Sequence, residues 1–278
     1  MSTIRFGFLG AGQIAWPSAA SVNRHPQAAV VAAQDLHAGR LAELCEKEKI
    51  PRRYETAEAL LADPEVDAVY IAVPNRFHAA LAIQALEAGK HVMLEKPFAM
   101  NATEAEAAAE AAAKAGKVLT LGMNQRFGRV PQQVKALVES GALGEIYHAK
   151  AYWYRRTGIP RLGTWFGSRD LAGGGCLYDI GVHVLDLCLY LVGNFDAVSV
   201  SGATYTRFGN RGLGEGGWGR SDKGEIPFDV DDFATGFIRF ANGLSVLLGT
   251  SWARHSEHAS EWDVELFGTE GGAKGVSG

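Results

Sequence analysis

Short apolar runs alternate with helical stretches through the first part of the chain, at residues 4–9, 29–33, 68–73, 91–94 and 118–123. That rhythm predicts βαβ units and a parallel sheet. The runs are apolar without strict alternation, as expected of strands covered on both faces by crossover helices. Between them, residues 78–87 read as a helix that stops at Gly89. The next helix is predicted to start with Thr103 and Glu106 in capping-box spacing and to close at Gly116. Its interior is nearly all alanine, which favours helix intrinsically and lets it pack close to a sheet.

After about Met123 the pattern changes. Pro131 is placed to open a helix running to about Ser140, and strand-like segments then dominate at residues 146–154, 197–206, 233–240, 244–252 and 261–267. Asn242-Gly243 between two of these is a hairpin signal. One apolar helix, residues 182–192, interrupts the series. The pattern therefore predicts an α/β chain of two domains. Residues 1–123 carry the parallel sheet, and residues 124–278 form an α+β domain with a mainly antiparallel sheet. Seven glycines between Arg207 and Gly224 suit a mobile loop, whether a lid, an oligomer contact or a long connection. The chain stops just after a strand, where a turn should lead to another element, so a C-terminally incomplete domain is expected.

Composition narrows the function classes. With 278 residues, 47% of them hydrophobic, the chain can bury two ordinary cores. A formal net charge of -4 and the lack of any Lys or Arg run speak against nucleic acid as a partner. The apolar stretch at residues 4–9 is too short for a membrane span and lacks a small-residue cleavage site, so it reads as a buried first strand and no membrane is expected. Cys45, Cys176 and Cys188 are odd in number and show no CxxC spacing. Neither a disulfide framework nor a metal site is expected, and a cytoplasmic location fits.

Three groups of residues carry candidate chemistry. Gly10-Ala11-Gly12-Gln13-Ile14-Ala15 follows a predicted strand and opens a helix, matching the G-x-G-x-x-G/A dinucleotide fingerprint. Gly10 permits the tight turn, Gly12 lets the backbone approach a pyrophosphate, and the helix N-terminus holds the phosphates. Asp35, near the end of the second strand, is placed to accept hydrogen bonds from ribose hydroxyls. That favours NAD, although a strand end one residue earlier would put neutral Gln34 at this position and leave NADP open. Lys96 stands just past a buried strand in Glu95-Lys96-Pro97, where a lysine can stabilise a developing alkoxide. Asp179 and His183 follow Gly173-Gly174-Gly175 at i, i+4 spacing, suited to orienting a substrate and to general-base catalysis. Taken singly, a solvated turn lysine, a helix-capping aspartate and a buried structural histidine explain the same residues.

Together these motifs resemble the glucose-fructose oxidoreductase and inositol dehydrogenase family, Gfo/Idh/MocA, over essentially the whole chain. The resemblance implies a Rossmann domain followed by a domain with a large open sheet, commonly buried in homodimers or homotetramers. It implies that Lys96 and His183 are catalytic and that Asp179 is a substrate-site aspartate acting with them. It further implies cofactor contacts from Gln13, Ile14, Pro74, Asn75, His78, Glu95, Lys96 and Asn124, and substrate contacts from Arg156, Trp165 and Tyr178. The activity it implies is NAD(P)-dependent oxidation of a sugar or polyol hydroxyl. Two alternatives remain: an enzyme with tightly bound NAD that oxidises transiently during glycoside cleavage, epimerisation or elimination, and a non-enzymatic dinucleotide- or sugar-sensing protein.

Overall fold

The computed structural model describes residues 3–218 and 224–276. It separates into two compact units, one running to Gly122 and one beginning at Met123.

The first unit runs β1 (Ile4–Leu9), α1 (Ala15–Arg24), β2 (Ala28–Gln34), α2 (Ala38–Glu48), β3 (Arg52–Tyr54), α3 (Ala57–Leu61), β4 (Ala68–Ile71), α4 (His78–Glu87), β5 (His91–Leu94), α5 (Ala102–Ala115) and β6 (Leu119–Leu121). All six strands are parallel, in the order β3-β2-β1-β4-β5-β6. Strand parity divides its core in two. Phe8, Val30 and Tyr70 face α1 and α2, whereas Leu9, Val69 and Ile71 face the layer that holds α4. The chain winds outward from β1 in both directions, so the loops after β1 and β4 diverge at a switch point, where open parallel sheets bind ligands.

Two expectations are corrected here. Strand β3 was not foreseen, because Arg52-Arg53-Tyr54 carries no apolar run and pairs only along the sheet edge with β2. The capping box of α5 is formed by Asn101 and Glu104, not Thr103 and Glu106. Asn101 Oδ1 accepts from Glu104 N at 3.0 Å, and Glu104 Oε2 accepts from Met100 N at 3.1 Å. Thr103 falls inside the helix, because Asn101 already stops it two residues earlier.

The second unit opens with a 3-10 turn at Asn124–Phe127. It continues through α6 (Arg129–Glu139), β7 (Ile146–Arg155), α7 (Arg169–Ala172), a π-helical turn (Leu177–Gly181), α8 (Val182–Val192), β8 (Ala197–Tyr205), β9 (Phe233–Phe240), β10 (Ser245–Ser251), β11 (Ser260–Gly268) and β12 (Gly272–Ala273). The sheet order is β12-β11-β7-β10-β9-β8. Only β7 and β10 pair in parallel, so the sheet is mixed but mostly antiparallel. Val184, Leu187, Cys188 and Leu191 of α8 pack with Ala149, Ala151, Val246 and Val264 of the sheet. The opposite face is left open, and β8 is exposed along its whole length.

Residues 207–218 are pinned rather than free. Gly158 N and Ile159 N both donate to Gly214 O, Gly216 N donates to Ile159 O, and Glu215 Oε1 accepts from Leu162 N. The rest of the glycine-rich segment, residues 219–223, lies outside the described residues. Among the described residues one helical run, Arg169–Val192, has the length and hydropathy of a membrane span. It is the run through α7 and α8, and its apolar side is the core just described.

Candidate active site

In the first unit the candidate residues gather at the carboxyl ends of the strands. Gly10 has φ +99°, and a Cβ there would stand 2.2 Å from Ala72 O beyond the neighbouring strand β4, so only glycine fits the turn from β1 into α1. At Gly12, by contrast, a Cβ would meet nothing within 4 Å, which leaves that stretch of backbone approachable. No side chain caps α1 among the described residues. Its first-turn N–H groups and the N-terminal end of its dipole are arranged as an anion site beside Gly12, Gln13 and Ile14. These features fit a dinucleotide pyrophosphate.

Strand β2 ends at Gln34, which is 7% exposed and donates from Nε2 to Glu55 O at 3.2 Å. The side chain beyond the strand end is therefore Asp35. Its Oδ2 accepts from Ala11 N and its Oδ1 from His37 N, each at 2.7 Å. Both bonds fix the carboxylate against the glycine turn, and Arg40 approaches it at 4.0 Å.

Beyond β4 and β5 the structure separates residues that the motif reading grouped together. Asn75 lies buried in a 3-10 turn that Pro74 precedes. His78 is 1% exposed, with Nδ1 at 2.7 Å from Pro97 O and Nε2 at 3.0 Å from Val73 O. Its ring therefore stitches the loop after β4 to the segment after β5. Burial, aided by the positive charge of Lys96, holds its pKa below the usual histidine value against the pull of the two carbonyls.

Glu95 is braced on both oxygens. Tyr70 OH donates to Oε1 at 2.5 Å, and Lys96 N donates to Oε2 at 3.2 Å. Ser18 Oγ of α1 donates in turn to Tyr70 OH at 2.9 Å. Burial and the adjacent carboxylate raise the Tyr70 pKa strongly, which keeps it a donor. Tyr70 was not anticipated from the sequence, where it is one apolar position in a buried strand. Lys96 follows Glu95 and is partly buried.

In the second unit the chemistry rests on a clasp. Asp231 Oδ1 accepts from Gly175 N at 2.8 Å, its Oδ2 accepts from Leu177 N at 2.9 Å and Cys176 Sγ at 3.2 Å, and its carbonyl accepts from Cys176 N at 2.9 Å. A Cβ at Gly175 would sit 1.8 Å from Asp231 O, and one at Gly174 would sit 2.6 Å from the Tyr178 ring. The glycine run is thus required by close approach. Burial, then Asp231, raises the Cys176 thiol pKa and keeps it protonated.

The π-helical turn that follows holds Asp179, whose Oδ2 accepts from Trp252 Nε1 at 2.8 Å. Trp252 is fully buried on the segment after β10. His183 stands in the first turn of α8, with its ring centroid 6.1 Å from that of Trp153, which stacks on Trp262 at 5.3 Å. The Arg155 guanidinium lies over the Trp153 ring at 4.9 Å. Burial lowers its pKa, and the nearby negative charge of Asp179 opposes the fall.

Strand parity separates two neighbouring arginines. Arg155 shares the face of Trp153, whereas Arg156 is exposed and donates from Nη1 to Glu257 O at 3.4 Å. Trp165 stacks on Phe166 at 3.8 Å. Asn124 is exposed at the start of the opening 3-10 turn, which Arg126 ties to Asp186 of α8, Nε donating to Oδ2 at 2.7 Å and Nη2 to Oδ1. Among the described residues no group of three or more His, Cys, Asp or Glu side chains is placed to hold a metal ion.

Comparison with known proteins bears on what this arrangement serves. The model of an oxidoreductase family with an NAD-binding Rossmann fold, GFO/IDH/MocA, matches residues 4–123, and that of the GFO/IDH/MocA C-terminal domain matches residues 132–274. The chain is 36% identical over 274 residues to D-glucoside 3-dehydrogenase of Escherichia coli, covering 98% of this chain and 77% of that protein. It is 28% identical to myo-inositol 2-dehydrogenase of Thermotoga maritima, covering 96% and 74% respectively. A levoglucosan dehydrogenase solved in complex with NADH and L-sorbose superposes with a TM-score of 0.84 at 27% identity, covering 99% of this chain and 73% of that one.

Proposed function

The chain belongs to the Gfo/Idh/MocA family of oxidoreductases, and from that premise we propose that it is an NAD-dependent dehydrogenase oxidising a hydroxyl of a sugar or polyol. The observation that carries this reading is the joint presence of a fixed carboxylate at Asp179 in the π-helical turn and an imidazole at His183 in the first turn of α8 that follows it.

Bound NAD would supply the hydride acceptor. The backbone at Gly12, Gln13 and Ile14 would hold the pyrophosphate at the start of α1, below the Gly10 turn. Asp35 would accept from the adenosine ribose hydroxyls, and the same carboxylate would repel the 2′-phosphate of NADP. Pro74, Asn75 and Glu95 would line the path of the cofactor, with Glu95 held in place by Tyr70, and Asn124 is a further contact. His78 serves this binding at one remove, by holding the two loops together.

His183 removes the proton of the substrate hydroxyl, and Asp179, held by Trp252, orients the substrate and supports the base. Lys96 stabilises the negative charge that develops on the oxygen as hydride leaves the carbon. Tyr178 and Trp165 contact the substrate. Three buried, free cysteines support a reducing, cytoplasmic location. Tyr205, Phe237 and Leu247, exposed on the open sheet face, support assembly into homodimers or homotetramers.

The test is absorbance at 340 nm with NAD+ or NADP+ and a panel of D-glucosides, anhydrosugars and inositols. Reduction of NAD+ by one substrate class is expected, with Lys96→Ala lowering kcat by about 100-fold or more while NADH affinity stays within a few-fold. Near-normal turnover in that variant would remove Lys96 from the mechanism. Cofactor returned unchanged after many substrate turnovers would point instead to transient oxidation.

A further inference from the structure

We propose that Arg155 is a substrate-contacting residue that sets specificity, its guanidinium donating hydrogen bonds to hydroxyl oxygens of an uncharged sugar or polyol. The inference rests on the sugar-dehydrogenase reading above and deepens it. Neither the motifs nor the family resemblance pointed to this residue; the strand alternation of β7 selects it.

Arg155 ends β7 on the same face as Trp153, whose ring lies beneath the guanidinium at 4.9 Å and beside the His183 ring. The stack of Trp153 on Trp262 fixes that aromatic surface. A Cβ at Gly158 would come within 2.6 Å of Arg155 Cδ, so the glycine leaves room for this side chain.

The group is prepared for an acceptor that the chain does not supply. A guanidinium has five N–H donors in a planar fork. Among the described residues, that of Arg155 makes no hydrogen bond and no ion pair within 4 Å, although the side chain is partly buried. None of these donors is sealed from solvent, so hydroxyl oxygens of a polyol can take the place of water on them. A planar fork also matches two neighbouring oxygens better than an ammonium does.

Charge decides the substrate class. Asp179 is close enough to act on Arg155 electrostatically, while Trp252 occupies one of its oxygens. The cation is therefore balanced without its donors being used. A neutral ring with several hydroxyls suits such a pair, whereas a carboxylate or phosphate on the substrate would meet Asp179 as a like charge.

The test uses the full chain with Arg155→Gln and Arg155→Lys, and methyl β-D-glucopyranoside, myo-inositol and methyl glucuronoside as probes. Initial rates are read at 340 nm, NADH affinity by fluorescence, and sugar affinity for the NADH-bound protein by calorimetry. For Arg155→Gln the expected result is a KM and sugar Kd raised about 10-fold or more, with kcat within about threefold and NADH affinity and Tm unchanged. Arg155→Lys should recover only part of the loss.

Unchanged sugar affinity in Arg155→Gln overturns the proposal, and so does a fall in kcat at unchanged sugar affinity, which would make Arg155 a support for Asp179. Preference for the glucuronoside over the neutral glucoside overturns the assigned class. If Arg155→Gln does not fold, Arg155→Lys decides by the same sugar-affinity criterion. A wild-type protein that binds sugar but reduces no cofactor would sink the dehydrogenase reading alone, with Arg155 still judged by Kd. One that binds none of the probes overturns the proposal itself.

Discussion

The two units prepare their candidate residues by different means. In the first, position comes first from the backbone: Gly10, Asp35, Pro74, Glu95 and Lys96 all stand where parallel strands end, and Tyr70 and His78 then brace what the sheet has brought together. In the second, position comes from side chains distant in sequence. Asp231 holds the turn that bears Asp179, and Trp252 holds Asp179 itself. A backbone-built site tolerates side-chain change so long as the turn survives. A clasp fails when one partner is removed, because the buried N–H groups it satisfied are stranded.

The strongest way to break this comparison is at the glycines. Gly10→Ala drives a Cβ into Ala72 O at a φ that L-residues avoid, whereas Gly12→Ala meets nothing. Gly10→Ala is expected to cost about 3 kcal/mol or more in stability and to weaken NADH about 100-fold. Gly12→Ala should keep the Tm of the parent and lose only cofactor affinity. Thermal melts beside NADH titrations separate the two, and equal destabilisation would contradict the reading of the turn.

Asp231→Ala is the corresponding test of the clasp. Loss of acceptors for Gly175 N and Leu177 N is expected to cost about 2–4 kcal/mol and to lower kcat by about 100-fold. NADH affinity should stay unchanged, since the defect lies in the second unit. A variant that melts early yet turns over normally would make Asp231 a stability element alone.

A smaller effect is expected for Trp252→Phe, which keeps most of the packing and removes the donor to Asp179. About a tenfold fall in kcat with little change in KM is the expected outcome of steady-state assays. A change confined to KM would move Trp252 to substrate binding.

The smallest effect is a pH dependence from His78. Its folded pKa lies below the ordinary value, so between those two values the unfolded chain binds more protons than the folded one. Stability therefore falls as pH drops through about 6.5 and levels off below the folded pKa. Melts of wild type and His78→Gln between pH 7.5 and 5.5 should show a shallower slope in the variant. Parallel slopes would place the titration elsewhere.

Much of the fold could be read directly from residue patterns. Strands β1 and β9 and helix α8 run between the residues that the apolar pattern marks, since β1 ends buried on both faces while β9 and α8 each bury one continuous face. The glycine fingerprint was equally clear, because its partners lie within one βαβ unit. The charged edge strand β3 was missed, and Arg155, which lies against Trp153, was not singled out. One residue of strand phase reverses the face a side chain takes, and local pattern says little about phase at a strand's end.

Local chemistry was enough to mark out the parallel sheet and the glycine turn, whereas Lys96, Asp179 and His183 stood out only when their motifs were taken together. The sheet and the turn depend on hydrophobic periodicity and on backbone needs that act within a few residues. Folding at long range determined that Tyr70 braces Glu95, that His78 turns inward to join two loops, and that Asp231 and Trp252 hold the Asp179 turn. The contacts of Tyr70, Asp231 and Trp252, and that of His78 with Pro97, join residues 19 to 73 positions apart. Such partners meet only after the sheets have closed, because burial then leaves each polar group no acceptor or donor but the one opposite it.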